Sequence, residues 1–418
     1  MQKLNKSKRE LLAETKANLA SAGYLSIVQP NPKDNINCDL LAYAPGPGGF
    51  ALGTAVAIMS ESVLDLELEA MRLDWIRTRA GLENALLVTS AGTYTLLPDG
   101  KNLVSLDILP QVTASADPIR DLKLVNNLLW DLVNETRGLI EPANFPSWLL
   151  DQIKVENALV QLREGGPLID GAIFRTAFTG LVARNSARNF SELASSSSIQ
   201  FLFGELASLF PNARSIFDPF FGSGLTTYSV IDSLRGALTE KDSRFTATGS
   251  DINSVAIRAA MTLSNSVLNL EAVHVHQEES TSLNWPEHDL LVTTPPMGMR
   301  LGEPLVLEGV NVKQIEHFAI LKAAHEVSQG RIAAGAIILT SRSWLTRNDC
   351  QDLRDKLIDL NVVKAILGVP DLHMSSSIPL SAIVLRSNPG EIVMGELMED
   401  WKDVIAGKEG GLYELLRK

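Results

Sequence analysis

From residue 213 onward, short apolar runs alternate with stretches whose apolar positions recur every three or four residues. The runs are "RSIFDPF", "FTATGSD", "VHVHQEE", "DLLVTT", "AGAIILTS", "VVKAILGV" and "LSAIVLRS". Between them lie "LTTYSVIDSL", "VAIRAAMTLSNSVL", "VKQIEHFAILKAAHEVSQ" and "DCQDLRDKLIDL", all with helical spacing. This alternation predicts an α/β domain, a mostly parallel sheet with helices on both faces.

The pattern differs upstream. Residues 1–110 open with a helix and continue in short strands, "CDLLAYA", "TAVAIMS", "ENALLVTSA" and "TYTLLPDG", with the helical "LDLELEAMRLDWIRTRAG" between the second and third. They predict a small α/β domain. Residues 111–212 read as helices: "DLKLVNNLLWDLVNETRGL", "SWLLDQIKVENALVQLRE", "AIFRTAFTGLVARN" and "SSSIQFLFGELASLF". The expected division is therefore 1–110, a helical segment 111–212, the α/β domain 213–395, and an acidic tail or start of a further segment at 396–418.

Composition narrows the class. With 45% apolar and 21% charged residues the chain is expected to form a core. No apolar run approaches a membrane span, and the charged N-terminus has no signal-peptide core, so a cytoplasmic protein without membrane contact is expected. Cys38 and Cys350 lack metal or disulfide spacing, and the six histidines form no ligand pattern, so no metal is expected. The net charge of −12 argues against a broad basic surface that would hold nucleic acid unaided.

Candidate chemistry collects at the strand ends. "FDPFFGSG" (217–224) joins a strand to a helix; its glycines allow close backbone approach to a ligand, and Asp218 can hold an amino group. "GSDIN" ends the next strand in Asp251, suited to accept two ribose hydroxyls or to cap the following helix. Asp251 lies 33 positions beyond Asp218, against about 20 in the usual spacing; the charged "RGALTEKDSR" accounts for the excess. In "HQEES", Glu278 or Glu279 could bond an adenine amino group, or simply face solvent. The serines at 195–198 precede a helix, as capping residues do. "TTPPMGMR" (293–300) stops the fourth strand with two prolines and sets Arg300 on the way out, suited to a phosphate or a surface salt bridge.

The order "DPFFGSG … GSDIN … TPPMG" resembles the class I methyltransferases that use S-adenosylmethionine and modify exocyclic amino groups. The stretch from about 185 to 390 resembles the adenine-N6 DNA methyltransferase fold of modification subunits in type I restriction–modification systems. That resemblance implies S-adenosylmethionine bound by Asp218, Pro219, Phe220, Gly222, Ser223, Gly224, Asp251, Ile252 and Glu279, with Ser197 near the methionine carboxylate. It implies a target amine held by Thr294, Pro295 and Pro296, and Met297 against the base. It also implies DNA reached through a specificity or other partner subunit, in an oligomeric assembly tied to phage defence. The family pattern is Asn, Asp or Ser, two prolines, then Tyr or Phe. Thr294 and Met297 depart from it, which implies a weakened or altered catalytic motif.

"TPPMGMRLG" also resembles the turn of RNA methyltransferases acting on guanine N2, and the double departure equally fits an inactive cofactor-binding scaffold or sensor. The first domain resembles the restriction-endonuclease-type fold. Asp39 matches that fold's first acid, whereas Met59 and Glu61 fall where its acid and lysine belong, so a degenerate domain is expected.

Overall fold

The computed structural model describes residues 7–31, 35–59, 65–109, 117–185, 195–238, 244–282, 284–369 and 378–397. Two compact units result: residues 1–139 with 165–177, and residues 140–164 with 178–418.

In the first unit, helix α1 (Lys8–Ser21) precedes strands β1 (Ser26–Val28), β2 (Leu40–Pro45) and β3 (Ala51–Met59). Helix α2 (Leu66–Ala80) then crosses over to β4 (Asn84–Thr89), followed by β5 (Thr93–Leu96), β6 (Leu103–Leu106) and α3 (Leu122–Glu135). The sheet runs β1-β2-β3-β4-β5-β6, with β3 and β4 parallel and the other neighbours antiparallel. β2 is buried along its whole length because each sheet face carries a helix. Leu11 and Leu19 of α1 pack on one face, and Ala70, Leu73 and Ile76 of α2 belong to the core on the other.

The segment 111–212 is not one helical block. Leu122–Glu135 falls in the first unit, whereas α4 (Phe145–Gln152) falls in the second. α4 stops eight residues in, and the rest of "SWLLDQIKVENALVQLRE" forms a hairpin, β7 (Lys154–Glu156) with β8 (Leu159–Gln161). Asn157 and Ala158 turn it with φ of 51° and 60°; asparagine enters that left-handed region readily. β9 (Leu168–Asp170) and α5 (Gly171–Asn185) follow.

The second unit continues with α6 (Ser197–Ala207), β10 (Ser215–Asp218), α7 (Leu225–Gly236), β11 (Phe245–Asp251), α8 (Ser254–Ser264), β12 (Leu270–Gln277) and β13 (His288–Thr293). A hairpin, β14 (Arg300–Leu307) and β15 (Val310–Gln314), leads into α9 (Ile315–Ser328). Then come β16 (Ile332–Ser341), α10 (Gln351–Leu360), β17 (Val363–Val369), β18 (Leu380–Leu385) and β19 (Val393–Glu396). The expected domain end at 395 cuts β19, which pairs with β17 through Glu396; residues 398–418 lie outside the described residues.

The eight-stranded sheet has the order β12-β11-β10-β13-β16-β18-β17-β19. Its first five strands are mutually parallel, and β18 enters antiparallel between β16 and β17. A parallel sheet closed by one inserted antiparallel strand is the class I methyltransferase fold, as the resemblance implied. α7 packs on β10, α8 on β11 and β12, and α9 on β16. Phe217, Trp285 and Phe318 fill the core, with ring centroids 5.5 Å and 6.0 Å apart in successive edge-on pairs. The order in which strands are added switches side between β10 and β13, which opens a crevice at the strands' carboxyl ends.

Candidate active site

That crevice is a cavity of about 790 Å³. β10 delivers Asp218 to its wall, buried to 2% exposure. The Asp218 carboxylate accepts the Phe220 backbone N–H at 3.0 Å and the Thr227 hydroxyl at 3.3 Å. No lysine or arginine pairs with it among the described residues. Burial therefore pushes its carboxyl up to about 7, and the charge of Asp251 adds in the same direction.

The turn after β10 is drawn tight by its own backbone. Gly224 N–H reaches the Phe221 carbonyl, and Phe221 N–H reaches Ser250 of the neighbouring strand, both at 2.9 Å. Gly224 sits at φ 76° immediately before α7; a Cβ there would come within 2.7 Å of the Phe221 and Tyr228 rings. Ser223 Oγ is buried, its residue lines this cavity, and it has no hydrogen-bond partner among the described residues.

Asp251 ends β11 with both oxygens engaged. Oδ2 accepts Gly222 N–H at 2.9 Å, and Oδ1 accepts Asn253 N–H at 2.8 Å. The capping of α8 falls to Asn253, whose side chain accepts from Val255 and Ala256. A carboxylate has about four acceptor positions, so Asp251 retains capacity toward the cavity. Ile252, 70% exposed, lines the wall beside it. Of the two glutamates, Glu279 lines the cavity and Glu278 does not.

On the far side stand Thr294, Pro295, Pro296 and Met297. Pro295 is buried, and Thr294 and Met297 are half-buried. Gly298, at φ 69°, turns the chain out of the corner. The Ile315 N–H donates to the Met299 carbonyl at 3.0 Å, tying the start of the β14–β15 hairpin to the start of α9.

Two expected residues fall elsewhere. Ser197 is exposed at the first turn of α6 and does not line the cavity; Ser195 and Ser196 do. Ser196 is the N-cap, its Oγ accepting Ile199 N–H at 3.3 Å, so the next residue already points away along the helix. Pro219 is buried beneath the turn, where its carbonyl accepts the hydroxyls of Ser250, at 3.0 Å, and Ser280. That serine pair was not legible beforehand, because its partner is a backbone oxygen with no signature of its own. Met299, Leu301, Ile315, Leu339 and Ile378 also line the cavity and went unnoticed. The alternating "PLVLEGVNV" around an Glu-Gly turn was the available signal for the hairpin that brings some of them there.

These residues suit a nucleotide-like ligand that carries positive charge. Three carboxylates, Asp218, Asp251 and Glu279, border one half of the cavity, one of them buried without a cation. The unpartnered Ser223 hydroxyl offers a further polar contact.

No family model matches the chain, and no curated protein matches it. Solved structures similar to it include the methyltransferase subunit of a type I restriction–modification system from Streptococcus thermophilus. It is 15% identical, with 57% of each chain covered and a TM-score of 0.47. Another is a protein assigned as a class I S-adenosylmethionine-dependent methyltransferase of Listeria monocytogenes, at 16% identity, 71% of this chain and 91% of that one, with a TM-score of 0.47. The type IIG restriction endonuclease BpuSI is 11% identical over 97% of this chain and 60% of its own, with a TM-score of 0.40. This chain spans 57% of the streptococcal subunit's length.

Proposed function

We propose that this chain is an S-adenosylmethionine-dependent methyltransferase acting on adenine N6 in DNA, within a restriction–modification or other phage-defence system. The observation that carries this is the single cavity shared by Asp218, Asp251 and Thr294, three strand ends far apart in sequence.

When bound, the cofactor supplies an electrophilic methyl group. The chain's own residues do the rest. Asp218 would hold the cofactor's ammonium, Asp251 its ribose hydroxyls, and Ile252 and Glu279 its adenine. Ser195, Ser196 and Ser223 would take the carboxylate. The target amine is a poor nucleophile because its lone pair is delocalised into the ring. Thr294 Oγ and the Pro295 carbonyl accept hydrogen bonds from its N–H groups and stabilise the positive charge that develops on nitrogen. Met297 packs on the base after it leaves the stack. A threonine and a methionine at these positions make slow turnover the expected behaviour.

The same two residues favour a second function, a cofactor-binding scaffold without turnover. Tritiated cofactor incubated with unmethylated DNA, and in parallel with transfer RNA, separates the cases. Label in DNA adenine supports the proposal; label in RNA, or binding without label in any substrate, overturns it. The surplus of acid on the chain assigns the broad DNA contacts to a partner subunit in a larger assembly.

For the first unit we infer a restriction-endonuclease-type fold that has lost its metal site. Its strand directions and two helical layers support this. Asp39 accepts Lys8 Nζ and Ile58 N–H, each at 2.7 Å, so a lysine stands against the one matching acid. Met59 ends β3, and Glu61 lies outside the described residues. Among the described residues no cluster of three or more His, Cys, Asp or Glu could hold a metal ion. Magnesium titrated into the isolated chain should then leave its melting temperature unchanged.

A further inference from the structure

The cavity is electrically polarised along the sheet edge. Its three carboxylates lie at the β10 and β11 ends and just after β12, on one side of the strand reversal. Arg300 lies on the other side, at the start of β14, and is the one cation among the described lining residues. It is exposed, and among the described residues no salt bridge or side-chain hydrogen bond engages it. Several other arginines of this unit are engaged. Arg331 pairs with Glu326 at 3.2 Å, Arg342 with Glu396 at 2.7 Å, and Arg354 donates to the Trp344 carbonyl at 2.7 Å.

The position of Arg300 is fixed by its backbone. It pairs with Gln314 across the hairpin, and the neighbouring Met299 carbonyl holds Ile315 N–H. A free guanidinium is thus presented three residues beyond Met297, at the edge of the half where the target base belongs. Apart from Thr294, the side chains of that half include Met297, Met299, Leu301, Ile315 and Ile378, all apolar. A flat base with no attached anion would leave the arginine unused, as would an amide side chain of a protein. A base carried on a phosphodiester backbone brings the anion with it.

We propose that Arg300 binds the phosphate next to the target nucleotide, which makes the substrate a nucleic-acid strand rather than a free base or a protein side chain. This rests on the methyl-transfer reading of the same cavity. A guanidinium fork takes two phosphate oxygens at once, which an ammonium does not.

The test is fluorescence anisotropy of a labelled, single-stranded oligonucleotide containing one adenine, with S-adenosylhomocysteine present, for the intact chain, Arg300→Ala and Arg300→Lys. Arg300→Ala should weaken binding on the order of 10- to 100-fold, with Arg300→Lys between the two. The slope of log affinity against log salt should shrink by about 0.7, one phosphate contact on a single strand. Neutral methylphosphonates flanking the adenine should weaken the unaltered protein similarly and Arg300→Ala no further. Equal binding and equal salt slopes for the unaltered chain and Arg300→Ala would overturn the assignment, as would additive losses from the variant and the neutral linkage. Calorimetry with S-adenosylmethionine keeps the two levels apart. Cofactor binding without oligonucleotide binding overturns the nucleic-acid assignment alone; no cofactor binding overturns the methyl-transfer reading and this inference with it.

Discussion

The carboxylate of Asp251 accepts the backbone N–H of Gly222 at 2.9 Å, joining the end of β11 to the glycine turn that follows β10. Two walls of the cavity are thereby locked together within one chain. On the proposed function, an acid at this position serves the ligand as well as the turn. The two roles separate by substitution.

Asp251→Asn keeps one acceptor oxygen and loses the charge. Cofactor affinity should fall about 10- to 100-fold, the loss of charge-assisted hydrogen bonds, while the protein stays folded. Asp251→Ala also strands the N–H groups of Gly222 and Asn253 and should lower the melting temperature as well. Calorimetric titration beside thermal denaturation reads both effects.

Asp218 gives a pH dependence with a definite sign. Burial raises its carboxyl from 3.8 in the ordinary case to about 7 in the folded protein. Between those values the folded state binds the extra proton, so stability of the cofactor-free protein falls as pH rises through that window. Asp218→Asn should remove this slope. A cationic cofactor favours the ionised form, so its affinity should strengthen as pH rises through about 7, and the variant should lose that dependence. Calorimetry at about pH 6 and about pH 8 tests both signs.

How much of this was legible in the sequence follows from the kind of signal each element leaves. Parallel strands β10, β13 and β16 are largely buried and read as continuous apolar runs, so they stood out. Polar residues at the strand ends mark the crevice, and Asp218, Asp251 and Thr294 line one cavity. "KVENALVQ" satisfies helical and strand periods at once, and only the left-handed Asn157 and Ala158 decide for a hairpin. Ser280 was missed because it acts on a backbone carbonyl 61 residues away. A run of four serines hides which one caps the helix, and the structure gives that place to Ser196. The insertion of β18 between β16 and β17 is a long-range pairing that no local pattern encodes.

Gly249 is expected to be intolerant of a side chain. It lies opposite Asp218 in the parallel ladder, and a Cβ there would collide with the Asp218 carbonyl and the Phe221 ring. Gly249→Ala should cost about 1–3 kcal/mol of stability through overpacking and should reduce cofactor affinity, because the obstacle is backbone under the turn. Denaturant unfolding gives the first and titration the second.

The double-proline corner offers a gain of function. Thr294→Asn restores a planar amide acceptor worth about 0.5–1.5 kcal/mol, and Met297→Phe restores a stacking ring worth about 1–3 kcal/mol. Together they should raise kcat/KM for adenine methylation at least tenfold, with cofactor affinity unchanged. No gain in the double variant would mean that Thr294 and Met297 are suited to a different acceptor.

The most direct measurement is a crystal structure of the chain with S-adenosylmethionine. The ligand's ammonium should lie at Asp218, its ribose at Asp251 and its methyl group toward Thr294 and Pro295. A cofactor bound outside this cavity, or density absent from it under saturating ligand, would contradict the account.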